Sequence, residues 1–142
     1  MHITLETDYA IRIVDALAKE AARENESFRG CIDAGTIADR TEVPLRFALK
    51  ILRKLVSGGI VKSYKGVYGG YRLISELGEL SIYDVMEIVE GEYHFSRCLS
   101  EGYNCNCESD GLPCNYRGVF GEVTEMVKDY LKKQTFDKLV KF

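Results

Sequence analysis

Residues 43–73 read VPLRFALKILRKLVSGGIVKSYKGVYGGYRL, and this stretch carries seven basic side chains without a single Asp or Glu. The seven are Arg46, Lys50, Arg53, Lys54, Lys62, Lys65 and Arg72. The block stands out because the whole 142-residue chain has a formal net charge of −3. Dense positive charge of this kind is typical of a surface that neutralises nucleic-acid phosphates.

The order of residues within this block predicts a helix followed by a hairpin. Pro44 suits the first turn of a helix, because no backbone donor is needed there. The apolar residues after it recur at helical spacing, and the glycine pair at 58–59 is expected to end the helix. Residues 60–65 and 71–73 are predicted to be two strands joined by a glycine-rich turn. A helix followed by a glycine-tipped hairpin is the second half of a winged helix-turn-helix.

The first half is predicted immediately upstream. Asp33 is a plausible N-cap, and residues 36–40 are expected to form a short helix with Ile37 and Ala38 facing inward. In such a fold the second helix enters the major groove of DNA and the hairpin flanks it. The basic block would then lie where the phosphates are.

Several motifs carry a resemblance to a known family. They are TDYAIR at residues 7–12, VPLRFALKIL and GGIVKSYKGVYGGYRL within the basic block, SIYDVMEIVEG at 81–91, and TFDKLV at 135–140. In these segments the chain resembles the IscR/NsrR/CymR (Rrf-two) family of bacterial transcription regulators. The resemblance implies a homodimer that binds a double-stranded DNA operator with two-fold symmetry. It also implies that an iron–sulfur cluster, held by cysteines after the winged domain, controls DNA affinity in several members.

Arg46 and Lys50 are the best candidates for reading bases or binding phosphate in the major groove. Each cation taken alone could equally be a solvated surface charge. Lys65 stands where the family usually has a minor-groove arginine, and Leu49 where it often has a polar residue, so the operator sequence stays open. The full set of predicted DNA-binding residues is Thr36, Pro44, Arg46, Phe47, Leu49, Lys50, Arg53, Lys65, Tyr71 and Arg72.

The N-terminal helix is expected to run from Tyr9 to about Ala22, with Thr7 and Asp8 as caps. A carboxylate such as Asp8 is favoured in a first turn by the helix dipole. The resemblance implies a second role, because a nitric-oxide-sensing branch of the family uses the aspartate of TDYA as a cluster ligand supplied across the dimer. Both interpretations of Asp8 stay open.

Residues 98–114 read CLSEGYNCNCESDGLPC and are predicted to form a loop. Its four cysteines, Cys98, Cys105, Cys107 and Cys114, have the thiolates that bind iron–sulfur clusters and zinc. The spacing lacks the paired C-x-x-C knuckles typical of zinc, but by itself it leaves the metal open. The resemblance favours a cluster, either 2Fe–2S or 4Fe–4S. It would be held by three cysteines with Asp8 or by all four cysteines, since Arg117 replaces the histidine ligand of one branch.

After this loop, apolar residues recur at helical spacing from Val119 to about Lys133. The apolar face of this long helix could pack within the chain, and the resemblance favours its use as the dimer interface. The expected fold class is mainly α with a small β-hairpin wing (α+β). Residues 1–75 would form the DNA-binding domain, with a net charge of +3. Residues 76–142, with a net charge of −6, would hold a bridging helix that starts at Ser81, the cysteine loop and the dimerisation helix.

The predicted function is a DNA-binding transcription regulator, not an enzyme, whose DNA affinity is controlled by a cysteine-ligated cluster. One alternative is the same fold sensing through thiol oxidation or zinc. A more remote alternative, a metal or thiol oxidoreductase, lacks a C-x-x-C redox pair and leaves the basic block unexplained. The sequence shows no membrane-length apolar run and no signal-peptide pattern, which predicts a cytoplasmic protein with no membrane partner. Five cysteines without a secretion signal favour thiols or metal over disulfides, and Cys31 is assigned no role.

Overall fold

The computed structural model describes residues 3–23, 30–105 and 114–142. This part of the chain is mainly helical with one two-stranded antiparallel hairpin, which confirms the predicted fold class. In chain order the elements are α1 (Leu5–Ala22), α2 (Ala34–Thr41), α3 (Leu45–Ser57), β1 (Val61–Tyr64), β2 (Gly70–Leu73), α4 (Ile82–Glu90), a 3-10 turn (Arg97–Leu99), α5 (Asn115–Lys132) and α6 (Phe136–Leu139).

Helix α1 begins four residues before the predicted start. Its N-cap is Thr4, whose hydroxyl oxygen accepts a hydrogen bond from the Thr7 backbone N–H at 3.3 Å. The predicted caps, Thr7 and Asp8, lie inside the helix, and Thr7 is fully buried. By residue type, either Thr4 or Thr7 could cap this helix. The burial of Thr7 against other parts of the fold leaves Thr4 as the N-cap.

Helices α2 and α3 form the helix-turn-helix. Asp33 caps α2 as predicted, because its carboxylate accepts the Thr36 N–H at 2.9 Å and the Thr36 hydroxyl at 2.6 Å. Glu42 ends α2 in a left-handed conformation (φ 55°), and Pro44 occupies the N-cap of α3. The buried face of α3 consists of Ala48, Ile51, Leu52 and Leu55.

The hairpin pairs β1 with β2, with Val61 opposite Leu73 and Tyr64 opposite Gly70. The chain just before α2 pairs with β2 through two hydrogen bonds. The Tyr71 N–H donates to the Ile32 carbonyl at 2.8 Å, and the Tyr71 carbonyl accepts the Ile32 N–H at 3.0 Å. Gly70 permits this approach: its φ is 144°, and an added Cβ would lie 2.5 Å from the Ile32 oxygen. The wing is therefore fastened to the start of the helix-turn-helix.

A single hydrophobic core joins the winged segment to the end of the chain. Helix α4 packs against α1 and α3, and its start carries the predicted capping box between Ser81 and Asp84. Phe136, only 2% exposed, and Val140 belong to the same core as α1. The boundary between two domains near residue 75 stays a prediction.

Helix α5 presents an apolar face that nothing in the described chain covers. Tyr116, Val119, Met126 and Tyr130 are all more than half exposed on it. The helix starts at Asn115, four residues earlier than predicted, with Cys114 at its N-cap. Within the described ranges, no helix has both the length and the apolar character needed to cross a membrane.

Candidate nucleic-acid interface and cysteine segment

Helix α3 places a cation on an aromatic ring at the protein surface. The Arg46 guanidinium carbon lies 5.6 Å from the centroid of the Phe47 ring. Phe47 in turn meets Tyr9 of α1 edge to face, with ring centroids 6.1 Å apart. Because α1 supports Phe47 and Phe47 supports Arg46, the exposed guanidinium is held near the start of α3.

The cations one and two turns further along α3 differ in their surroundings. Lys50 is exposed, but its Nζ lies 3.3 Å from each carboxylate oxygen of Glu6 on α1. Arg53 is exposed and Leu49 is half-buried. The α3 residues predicted to read DNA therefore lie on one helix, with an acidic neighbour that the sequence did not reveal.

Lys54 faces the interior junction of three helices. Its Nζ donates to the Val89 carbonyl at 2.6 Å and lies 2.8 Å from Glu6 Oε1. The Lys54 hydrogen bond is the main reason that the pKa of Glu6 falls below its usual value, and Lys50 adds to this effect while burial opposes it. Lys54 belongs to the basic block in sequence, yet in the structure it connects α3 to α1 and α4.

The other predicted DNA-binding residues lie at the edges of this surface. Thr36, half-buried, donates its hydroxyl to Asp33, and Pro44 is exposed at the start of α3. Lys65 is exposed before the wing turn, whereas Tyr71 and Arg72 on β2 are half-buried. The structure thus brings together the α3 residues and Pro44, while the β2 residues belong mostly to the sheet.

Two residues at the wing tip escaped prediction. Val67 is 95% exposed and Tyr68 is 71% exposed, between the two turn glycines. A wing that flanks DNA presents its tip to the groove or the backbone. The sequence did contain a signal for them. GVYGG places two large side chains in a turn, and a turn does not need large side chains to form.

The predicted metal ligands that the structure describes are spread over four parts of the chain. Cys98 lies in the 3-10 turn, Cys105 in the following loop and Cys114 at the N-cap of α5, and all three are half-buried. Cys107 lies outside the described residues. Asp8 is on α1, where its carboxylate pairs with Arg12 at 2.7 Å. In the part of the chain that the structure describes, no three His, Cys, Asp or Glu side chains gather as a metal site.

The segment that leads into the cysteine loop is fixed to α5. Lys128 Nζ lies 2.7 Å from Glu92, and Glu92 in turn raises the pKa of Lys128. Thr124 Oγ1 accepts the Phe95 N–H at 3.0 Å, and the Phe95 ring lies against Phe120 with centroids 5.6 Å apart. The segment that follows α4 is therefore held against α5 just before Cys98, the first cysteine of the loop.

The Rrf2 family model, described as an iron-dependent transcriptional regulator, matches residues 3–141. The chain belongs to the Rrf2 family. An rrf2-like HTH-type transcriptional regulator of Rhodobacter capsulatus is 32% identical over 85% of this chain and 80% of its own length. Rrf2 proteins are transcription regulators, so the predicted family and the class of function are confirmed.

Two solved Rrf2 structures share the fold. CymR of B. subtilis, described as the global cysteine regulator of that organism, superposes with a TM-score of 0.72 at 23% identity, covering 99% of this chain and 96% of CymR. T. potens IscR gives a TM-score of 0.73 at 19% identity, covering 98% of this chain and 85% of IscR. The winged-helix architecture is therefore confirmed over the whole described chain, while the individual DNA and metal contacts stay predictions.

Proposed function

We propose that this Rrf2 protein is a cytoplasmic homodimer that binds a two-fold symmetric DNA operator and adjusts its DNA affinity through the cysteine segment. The observation that carries the DNA-binding part is the exposed surface of α3, where Arg46 rests on Phe47 beside Lys50 and Arg53. Guanidinium groups on a helix that fits the major groove can pair with guanine edges or with phosphates. The wing would add contacts from Lys65 on one side.

The remaining predicted contacts have supporting roles in this proposal. Pro44 and Thr36 lie at the N-terminal ends of α3 and α2, where backbone N–H groups favour phosphate. Leu49 offers an apolar contact for a thymine methyl group. Tyr71 and Arg72 would reach DNA from the sheet side of the wing.

The dimer part of the proposal is supported by α5. Its four exposed apolar side chains form a contiguous stripe, since residues 116, 119, 126 and 130 fall on one helical face. Exposed apolar surface of this kind marks an interaction site. A second copy of the same helix fits it, because a two-fold operator requires two recognition helices about one turn of DNA apart.

For the sensor we propose an iron–sulfur cluster held by Cys98, Cys105, Cys107 and Cys114, with Asp8 of the partner subunit as an alternative to one cysteine. The donor chemistry fits, since thiolates are the ligands of such clusters and Cys98, Cys105 and Cys114 are all half-buried cysteines. The family description as iron-dependent points the same way. When bound, a cluster supplies redox and nitric-oxide-reactive chemistry.

A second candidate keeps the same fold and uses the thiols themselves. Half-buried cysteines can form disulfides, which would change the segment that joins the 3-10 turn to α5. The likeness to CymR, described as a cysteine regulator, supports this candidate.

Replacing Arg46 by alanine tests the DNA-binding part. With a duplex selected from random sequences by repeated rounds of binding, we expect a loss of affinity of about tenfold, because a groove contact of one arginine is removed. Arg23→Ala is the matched control, since Arg23 is 70% exposed at the far end of α1. Equal affinities of the Arg46 variant and wild type would contradict the proposed surface.

Iron, sulfide and zinc contents, with a visible spectrum of protein purified without oxygen, test the sensor. Iron and sulfide that are lost in Cys98→Ser but retained in Cys31→Ser would support the cluster. Zinc, or metal-free protein with DNA binding that responds to oxidation, would overturn the cluster and support the second candidate.

A further inference from the structure

Glu6 is an acid that contacts a cation of the proposed DNA surface, and it is built into the fold. It lies in the first turn of α1, with its Oε1 shielded from solvent. The same carboxylate meets Lys54 at 2.8 Å and Lys50 at 3.3 Å. A shielded carboxylate oxygen needs positive charge beside it, so at least one of these lysines must remain.

The two lysines are not equivalent partners. The Lys54 side chain is 34% exposed and its ammonium also donates to the Val89 carbonyl, which anchors it to the end of α4. The Lys50 side chain is 57% exposed, and in the described chain its ammonium has only Glu6 as a partner. Lys50 can therefore leave Glu6 while Lys54 continues to compensate the carboxylate.

The backbone around Glu6 is held by a second contact between the same helices. The hydroxyls of Thr4 and Thr7, on either side of Glu6, both donate to the carboxylate of Glu90 at the end of α4. The start of α1 cannot follow a departing lysine without breaking these bonds. Glu6 thus stays in place whether Lys50 points to it or to DNA.

The geometry points to Glu6 as an affinity-determining residue, whose carboxylate competes with DNA phosphate for Lys50 and so limits binding of DNA by α3. This inference rests on the proposed DNA-binding function. Lys50 must leave Glu6 before it can neutralise a phosphate, and the binding of random-sequence DNA rests mainly on phosphate contacts. Protein that lacks the Glu6 charge binds such DNA more tightly.

The test uses Glu6→Gln and a fluorescently labelled random-sequence duplex in a salt series. We expect affinity at low salt to rise about two- to fivefold, the range of an exposed ion pair. The slope of log K against log salt should steepen by at most about 0.9, equivalent to one phosphate contact. Glu79→Gln is the matched control: it makes the same change in net charge at an exposed residue that forms no ion pair within the described chain.

A double-mutant cycle shows whether the effect passes through Lys50. In a Lys50→Gln background, Glu6→Gln should no longer raise affinity. An equal rise in affinity in both backgrounds would show that removal of the Glu6 charge acts through the overall electrostatic potential and not through Lys50. This result would overturn the inference. The inference is also overturned if Glu6→Gln is folded, as its thermal unfolding shows, and its DNA affinity is unchanged or reduced.

A separate measurement shows whether each variant folds. The glutamine oxygen can still accept from Lys54, and thermal unfolding of each variant is measured beside binding. If Glu6→Gln does not fold, Glu6→Asp takes its place in the test. Aspartate retains the charge but its side chain is shorter by one methylene, so the rise in DNA affinity should be smaller. No rise in affinity would overturn the inference. If Arg46→Ala and Lys50→Gln both leave DNA affinity unchanged, the proposed function itself fails, whatever Glu6→Gln does.

Discussion

At the scale of single residues, Glu6 also links the stability of the fold to pH. Its pKa in the folded chain lies below the ordinary 4.5, chiefly because of the Lys54 hydrogen bond. A carboxylate with a lowered pKa contributes stability above the unfolded pKa, and this contribution is lost as pH falls through the folded pKa. The loss therefore begins near pH 4.5 and continues below it.

We expect Glu6→Gln to lower the free energy of unfolding by about 1 kcal/mol at pH 7, the scale of a partly shielded ion pair. The difference between the variant and the wild type should shrink as pH falls from 4.5 through the lower folded-state pKa of Glu6, because the wild-type carboxylate becomes protonated over that range. Urea unfolding at pH 7 and pH 3.5 measures both values. A difference that stays constant between the two pH values would contradict this role for Glu6.

Lys54 shows what the sequence could not reveal at this scale. It was counted with six other cations as part of a DNA-facing block, and charge density alone gives no reason to separate it from Lys50. The Val89 carbonyl that it reaches is 35 residues away. Contacts over such a separation depend on how helices pack, and no local pattern encodes them.

At the scale of elements, Gly58 sets how closely α3 approaches α4. A Cβ added there would lie 2.6–2.8 Å from three atoms of the Ile88 side chain, so the whole side chain would have to move. We expect Gly58→Ala to destabilise the fold by about 1–3 kcal/mol, as overpacking does. Chemical denaturation measures this cost.

Two further variants isolate the cause. Ile88→Ala in the Gly58→Ala background should recover part of the lost stability, since it removes the clashing atoms. Gly121→Ala in α5, where an added Cβ meets nothing within the described chain, should instead stabilise by about 0.5–1 kcal/mol. An equal loss in all three proteins would show that Gly58 has no special contact.

Local sequence signals predicted the helix caps whose two partners lie close together in the sequence. Asp33 with Thr36, and Ser81 with Asp84, are caps that span three residues, so the sequence contains both partners. The start of α1 was misplaced because burial of Thr7 depends on Glu90 of another helix. The approach of α3 to α4 at Gly58 was not predicted for the same reason.

At the scale of the whole molecule, the exposed stripe on α5 should determine the oligomeric state. Met126 is 70% exposed in the middle of this stripe. We expect Met126→Glu to shift the protein from dimer to monomer at micromolar concentration, because a charge cannot be buried there without a partner. Sedimentation velocity measures the shift, and DNA affinity should fall with it.

Met126→Leu is the control, since leucine retains the apolar surface and should leave the dimer intact. A wild-type protein that sediments as a monomer would contradict the dimer proposal directly. The helical spacing of its apolar residues predicted this helix from the sequence, and the family resemblance assigned it to the dimer interface. Only the structure shows that its apolar face has no cover within the described chain.

The place of Phe136 and Val140 in the same core as α1 has a consequence for proteolysis. These two residues follow the cysteine segment in sequence, yet they help to close the core that contains the first helix. A cut between α5 and α6 would therefore expose part of this core and weaken the packing of the helix-turn-helix. The product would be an open substrate for further proteolysis, and not a free-standing fragment that occupies operators without a sensor.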